Sequence, residues 1–181
     1  EEKIINKIIL PTINGMREIG CKYKGILYAG LMIKNNEPKL IEYNIRFGDP
    51  ECQVLMMRLE DDLVEIILSV IEEKLTLKKL NWSSNPCITI VAASKGYPLT
   101  FEKNKEIKNF PTNLKSKSEQ MFHAGTTEKD GVIFSNGGRV LNSTVCKPSL
   151  EASRKRALEM LDTLDWQNKY YRRDIGWRVI K

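Results

Sequence analysis

KLIEYNIRFGDPE, residues 39 to 51, carries Glu42, Asn44 and Arg46 at alternate positions and then breaks into the acidic turn Gly48-Asp49-Pro50-Glu51. Side chains on a strand point to opposite faces in turn, so these three polar groups converge on one side while Ile41, Tyr43 and Ile45 point to the other. Two readings follow. A half-buried strand with one solvated face has this pattern. So does a row of ligands for a metal bound to phosphate: a hard divalent cation takes oxygen donors from one or two carboxylates plus substrate phosphates, and a guanidinium offers a planar fork to the same anion. The turn favours the second reading, because Gly48 and Pro50 fix the backbone between two acids directly beside Arg46.

On either side of this segment the chain reads as mixed α and β. Apolar residues at Ile4, Ile5, Ile8, Ile9, Ile13 and Met16 keep helical spacing, with Pro11 placed to bend or divide the helix. Gly25 to Ile33 reads as a buried strand, Lys34 to Pro38 as a turn, and Lys39 to Ile45 as the returning antiparallel strand. Two helical patterns follow, Gln53 to Leu59 and Asp61 to Leu75. The second starts with acids suited to a helix N-terminus and has a stripe of Leu63, Ile66, Ile67, Val70 and Ile71. Asn81 to Pro86 is the best boundary, giving domains 1–80 and 87–181 joined by a linker, 81–86. Beyond it the pattern is strand-rich: Cys87 to Ala93, Gln120 to Thr126, Val132 to Ser135 and Arg139 to Val145. An amphipathic helix capped by Ser149 then runs to Leu164.

Composition bounds the class. The 181 residues are 41% hydrophobic and 29% charged, as in a soluble globular protein. No apolar run is long enough to span a bilayer and no leader pattern opens the chain, so a cytoplasmic protein with no membrane partner is expected. Cys21, Cys52, Cys87 and Cys146 form no CxxC pair and have one histidine, His123, to help them, which predicts reduced thiols. The net charge of +6 is uneven: residues 1 to 80 hold 12 Lys/Arg against 13 Asp/Glu, and residues 81 to 181 hold 17 against 10. That asymmetry suits an anionic ligand or nucleic acid. Several of the lysines, however, fall in the loop-like stretch 103 to 117.

Asn136-Gly137-Gly138-Arg139 is the most pointed feature of the second half. Adjacent glycines permit close backbone approach and an anion-binding concavity, to which Arg139 adds a charged fork; the same turn also reads as a plain hairpin. His123, with no partner nearby in sequence, reads as structural. Tyr170-Tyr171-Arg172-Arg173-Asp174 mixes aromatic and basic residues as a nucleic-acid patch does, although Asp174 supplies an internal salt-bridge partner.

The segments YKGILYAGLMI (23–33), KLIEYNIRFGDPECQ (39–53), ASKGYP (93–98), MFHAGT (121–126), NGGRVL (136–141) and YYRRDIGWR (170–178), in this order, resemble the C-terminal part of the phosphoribosylamine glycine ligases, ATP-grasp enzymes of purine biosynthesis. The resemblance implies an α+β fold: the C-terminal half of an ATP-grasp domain, built of antiparallel strands with helices, followed by a small strand-rich C-terminal domain that binds substrate. It also implies a reaction in which ATP phosphorylates glycine and 5-phosphoribosylamine attacks the acyl phosphate, giving glycinamide ribonucleotide, ADP and phosphate. On this basis Glu42 and Asn44 hold Mg²⁺ or Mn²⁺ against the nucleotide phosphates and Arg46 stabilises the transferring phosphoryl group. Asp49 and Glu51 line the substrate side, and Gly137, Gly138 and Arg139 bind the ribose 5′-phosphate. Leu27 to Ile33 carry no acid, where many ATP-grasp relatives place a further metal ligand. The family's N-terminal substrate domain and first half of the grasp have no counterpart here, so the partner expected is that missing N-terminal part, and the chain alone is expected to be inactive. Another ATP-grasp carboxylate–amine ligase, or a basic nucleic-acid-binding module, would share some of these features.

Overall fold

A computed structural model describes residues 1–76, 79–111 and 117–180. The loop-like stretch 103–117 therefore lies partly outside the described residues, as does Lys181. By its internal contacts the chain forms two compact units, Glu1–Asp49 with Asp61–Leu80, and Pro50–Glu60 with Asn81–Lys181. Composition alone places 50–60 within 1–80, whereas its packing groups it with the second unit.

The first unit opens with helix from Glu2 to Glu18: α1 (Glu2–Ile4), a π-helical turn over Ile5–Ile9, and α2 (Leu10–Glu18). Pro11 does not divide it. Proline has no N–H and its ring crowds the preceding turn, and the wider π turn just before it absorbs both defects. The strands β1 (Tyr28–Lys34) and β2 (Glu37–Asn44) pair antiparallel through Asn35 and Asn36, whose φ values of 52° and 60° meet the requirement of a tight two-residue hairpin. The register slips between Gly30 and Leu31, which pair with Glu42 and Leu40 and leave Ile41 as the extra residue of a bulge. Lys3 and Lys7 reach across to Glu37 at 2.6 and 3.0 Å.

The chain leaves this unit for α3 (Glu51–Arg58) and returns as α4 (Leu63–Ile71). Asp62 caps α4, its Oδ1 accepting from the backbone N–H groups of Val64 at 2.7 Å and Glu65 at 3.3 Å. The helix stops short of the predicted Leu75 because Glu73 turns left-handed at φ 57° and its carboxylate is taken by Lys22 and Lys24.

In the second unit, β3 (Cys87–Ser94), β5 (Glu119–His123), β8 (Arg139–Cys146) and β10 (Lys169–Tyr170) make an antiparallel sheet in the order β10-β3-β8-β5. Short pairs join β4 (Ile107–Lys108) to β9 (Asp165–Trp166) and β6 (Thr126–Lys129) to β7 (Val132–Ser135). Alternation gives the sheet two faces. Ile88, Ile90, Ala92, Leu141 and Val145 pack with Ala157, Met160 and Leu161 of α5 (Leu150–Asp162) into the core. Thr89, Val91, Asn142, Thr144 and Phe122 belong to the other face, where Thr89 and Thr144 hydrogen-bond through their hydroxyls at 2.8 Å. Ser149 caps α5 through Ala152 N at 3.1 Å, as its position predicts.

The structure departs from the sequence pattern at three points. The single strand predicted from Gln120 to Thr126 is two, because the N–H groups of Ala124 and Gly125 turn to the Val140 and Arg139 carbonyls, each at 3.0 Å. Asn136 to Gly138 is not a hairpin turn: β7 pairs with β6 while β8 pairs with β3 and β5, so the segment passes from one sheet to another. Cys87 and Cys146, 59 residues apart in sequence, are register partners with Cα atoms 4.2 Å apart, and they form a disulfide rather than reduced thiols. Segment 81–86 is also tied down, since Glu60 N donates to Asn81 O at 3.0 Å and Ser83 N to Arg58 O at 2.8 Å.

Candidate functional site

In the first unit, β2 brings Glu42 and Asn44 together as alternation predicts, and Asn44 Nδ2 donates to Glu42 Oε1 at 3.2 Å. Gly30 on β1 makes room for Glu42: a Cβ there would lie 3.1 Å from Glu42 Cγ. The sequence gives no hint of that pairing, because Gly30 is one of several glycines and only the register sets it opposite Glu42. Arg46 lies past the end of β2. Its Nη1 donates to the Phe47 carbonyl at 2.8 Å, and no hydrogen bond joins it to Glu42 or Asn44 among the described residues.

The resemblance carried by residues 39–53 implies a divalent cation beside this pair. One carboxylate and one amide oxygen on a shared, partly exposed face are hard ligands, and they fit a cation that brings its remaining ligands as phosphate and water. No cluster of three or more His, Cys, Asp or Glu side chains suited to a metal occurs among the described residues. Glu42 and Asn44 therefore fit as part of such a site, completed by a ligand.

Asp49 ends the first unit, and Glu51 opens α3 in the second, where a carboxylate in the first turn complements the helix dipole.

The second unit holds a cavity of about 360 Å³ on the sheet face opposite α5. Its floor is Thr89, Val91 and Ala93 of β3; Tyr97, Tyr170 and Tyr171 provide aromatic walls, and Pro50 and Ile175 close the rim. Arg139 and Arg172 also line it. Of the Asn136–Arg139 segment only Arg139 is among the lining residues, and Gly137 and Gly138 pack behind it. A Cβ on Gly138 would lie 2.1 Å from Tyr97 Cδ2, so glycine lets the tyrosine ring lie directly against the backbone beside Arg139. Gly137 packs on Gly125, where an added Cβ would be 2.9 Å from the other glycine's Cα. Asn142, directly across from Val91, is 1% exposed, and neither its Oδ1 nor its Nδ2 has a hydrogen-bond partner.

The C-terminal arginines differ in their surroundings. Arg172 donates from Nε and Nη2 to the two oxygens of Asp174 at 3.0 and 2.7 Å. Those hydrogen bonds hold the Asp174 carboxyl below the usual carboxylate range. Arg173 instead pairs with Asp162, and its guanidinium lies 5.3 Å from the Tyr171 ring centroid. Burial pushes the Tyr171 hydroxyl up, and its hydrogen bond to Asp162 adds to that, raising it to about 12. The basic-aromatic cluster is thus a set of internal pairs. His123 hydrogen-bonds Thr126 Oγ1 at 2.9 Å and stacks on Phe110 at 4.8 Å, which supports its structural reading.

A strand hairpin with flanking helices, followed by a small antiparallel sheet against which α3 and α5 pack, is the second half of an ATP-grasp domain with its C-terminal domain. The biotin carboxylase subunit of a pyruvate carboxylase shares this fold over 86% of the chain and 34% of its own, at TM-score 0.59 and 15% identity. More narrowly, residues 1–52 match the family model for the phosphoribosylglycinamide synthetase ATP-grasp (A) domain, and residues 87–178 match that for the synthetase's C domain. The chain belongs to the phosphoribosylglycinamide synthetase family. It is 45% identical over 179 residues to a phosphoribosylamine–glycine ligase of Brucella melitensis, covering 99% of this chain and 42% of that enzyme. The crystal structure of a phosphoribosylamine–glycine ligase from Thermotoga maritima superposes at TM-score 0.81 with 32% identity, over 96% of this chain and 43% of that one. The chain thus spans about two fifths of the length of the curated relatives it matches.

Proposed function

We propose that the chain is the C-terminal portion of an ATP-dependent ligase that joins glycine to 5-phosphoribosylamine in purine biosynthesis. The products are glycinamide ribonucleotide, ADP and phosphate, formed through a glycyl phosphate. The observation that carries this reading is the junction of Glu42 and Asn44 on one face of β2, in a chain 45% identical to a named phosphoribosylamine–glycine ligase. Glu42 and Asn44 hold Mg²⁺ or Mn²⁺ with the ATP phosphates, and a cation so bound neutralises charge on the nucleotide. Arg46 steadies the phosphoryl group in transfer. Asp49 and Glu51 face the substrates. Arg139, its wall fixed by the close packing at Gly137 and Gly138, takes the 5′-phosphate of phosphoribosylamine.

Activity requires the N-terminal part that the relatives carry, which completes the nucleotide cleft and covers the apolar side chains that the first unit leaves open. The setting is cytoplasmic; among the described residues no helix is long and apolar enough to cross a membrane.

The test is to join this chain to that N-terminal part and follow ADP release and glycinamide ribonucleotide formation. Glu42→Ala should lower kcat by about a thousandfold or more, as expected when a metal ligand to a transferring phosphoryl group is lost, with an unchanged melting temperature. Turnover with other carboxylate and amine pairs, but not with glycine and phosphoribosylamine, would assign a different ligase.

A further inference from the structure

We infer that Arg172 is a second phosphate-binding residue of the cavity in the C-terminal unit, acting with Arg139, and that Asp174 is the residue that positions it. This rests on the reading of that cavity as the sugar-phosphate site. The cavity's described lining holds two cations, Arg139 and Arg172, and no carboxylate. Its other walls are aliphatic and aromatic, which weakens solvent screening and strengthens the pull on an anion. A phosphate dianion gains most from forked donors that converge on it, and two guanidinium groups supply them at less ordering cost than lysines.

Arg172 is prepared for that role. An exposed arginine ordinarily samples many rotamers, but two parallel bonds to Asp174 fix the plane of this one and leave Nη1 out of the pair. Asp174 does not line the cavity, so it orients the cation without placing a negative charge against the ligand. Arg173, one residue along, has the same charge but is committed to Asp162 and Tyr171 and is absent from the lining. It therefore serves as an internal control for charge alone.

Ribose 5-phosphate is the probe, titrated calorimetrically into the chain joined to the N-terminal part, with ribose and inorganic phosphate as separate arms. Arg172→Ala and Arg139→Ala should each weaken ribose 5-phosphate binding about tenfold or more, the scale of a lost charge-assisted bidentate contact, whereas Arg173→Ala should change it less than about twofold. Asp174→Asn should weaken binding by about three- to fivefold, and Asp174→Glu should recover most of the loss, which a merely structural role would not predict. Melting temperatures of the exposed-site variants should match the parent. If Arg172→Ala behaves like Arg173→Ala while Arg139→Ala loses binding, the role of Arg172 is overturned and the sugar-phosphate reading survives. If the parent chain binds ribose as well as it binds ribose 5-phosphate, or binds neither, both fall.

Discussion

The two units of the chain bury their apolar residues very differently. In the second, a helix closes one face of an antiparallel sheet, and Ile90, Leu141, Val140, Val145, Ala157 and Leu161 are wholly inaccessible. In the first, Ile8 alone among the described apolar side chains is buried, and the helix α4 leaves Val64 and Ile71 64% and 61% exposed. The apolar content of the two regions is not the cause, since α4 is among the most hydrophobic segments of the chain. What differs is whether another layer lies against the apolar face. A sheet or helix gains stability only in proportion to the area it removes from water, so identical residues are worth several kcal/mol in one place and almost nothing in the other.

The sharpest way to break this contrast is to make the same kind of cut in both places. Leu161→Ala empties a fully buried site in the second unit and should cost about 2–5 kcal/mol, the range for large-to-small core substitutions. All three tryptophans, Trp82, Trp166 and Trp177, lie in that unit, so urea unfolding followed by tryptophan fluorescence reads it directly. Ile71→Ala removes a comparable side chain from α4 and should change stability by no more than about 0.5 kcal/mol, measured by far-ultraviolet circular dichroism. Equal costs would mean that α4 is covered in solution.

Ion pairs sharpen the same point. Glu119 is 9% exposed, with Lys147 at 2.7 Å and Arg156 at 2.9 Å. Burial pushes its carboxyl up, but the two cationic hydrogen-bond donors outweigh that and hold it below its ordinary value of 4.5. Because the folded state lowers this pKa, the stabilisation is complete above the unfolded value near 4.5 and is lost as pH falls through the lower folded value. Glu119→Gln should therefore cost about 1–3 kcal/mol at pH 7, from charge-assisted hydrogen bonds lost at a mostly buried site, with the gap to the parent closing as pH drops below about 4.5. In the first unit Glu37 also bridges two lysines, whose hydrogen bonds lower it to about 2. Its side chain is half exposed and both lysines are in solvent, so Glu37→Gln should leave the melting temperature nearly unchanged.

How far the sequence foretells these differences depends on the range of the interactions involved. The hairpin, the convergence of Glu42 with Asn44, and the caps at Asp62 and Ser149 follow from period-two alternation and cap chemistry, which act over a few residues. Periodicity and the chemistry of proline predict a helix bent or divided at Pro11, and the π turn beside which the helix stays undivided is a relaxation that periodicity does not encode. The disulfide between Cys87 and Cys146, the break at Ala124 and the crossing from β7 to β8 all depend on which strands become neighbours. Asn136-Gly137-Gly138 carries the composition of a hairpin, and only the competing β6–β7 pairing excludes one. The cavity was hidden for the same reason: it needs the tail strand β10 beside β3, which puts Tyr170 and Arg172 against Thr89 and Val91. In the sequence, Arg172 and Arg173 look alike.

The smallest effect tests the contrast most finely, because the same cap chemistry occurs in both units. Asp62 caps α4 and Ser149 caps α5, each satisfying otherwise orphaned N–H groups of the first turn. Replacing either by alanine should cost about 1 kcal/mol, but the loss should appear in different observables. In α5 the buried face formed by Ala157, Met160 and Leu161 holds the helix to the sheet, so Ser149→Ala should lower the urea midpoint of the second unit while amide exchange over the first turn rises only modestly. In α4 no described side chain is buried, so the cap is a large share of what keeps the first turn formed. Asp62→Ala should therefore fray the helix locally, with amide exchange at Val64 and Glu65 rising about fivefold, the equivalent of 1 kcal/mol, and no shift in the tryptophan-detected midpoint. A midpoint shift from Asp62→Ala would show that the two units unfold together, and that the exposed helix draws its stability from the core of its neighbour.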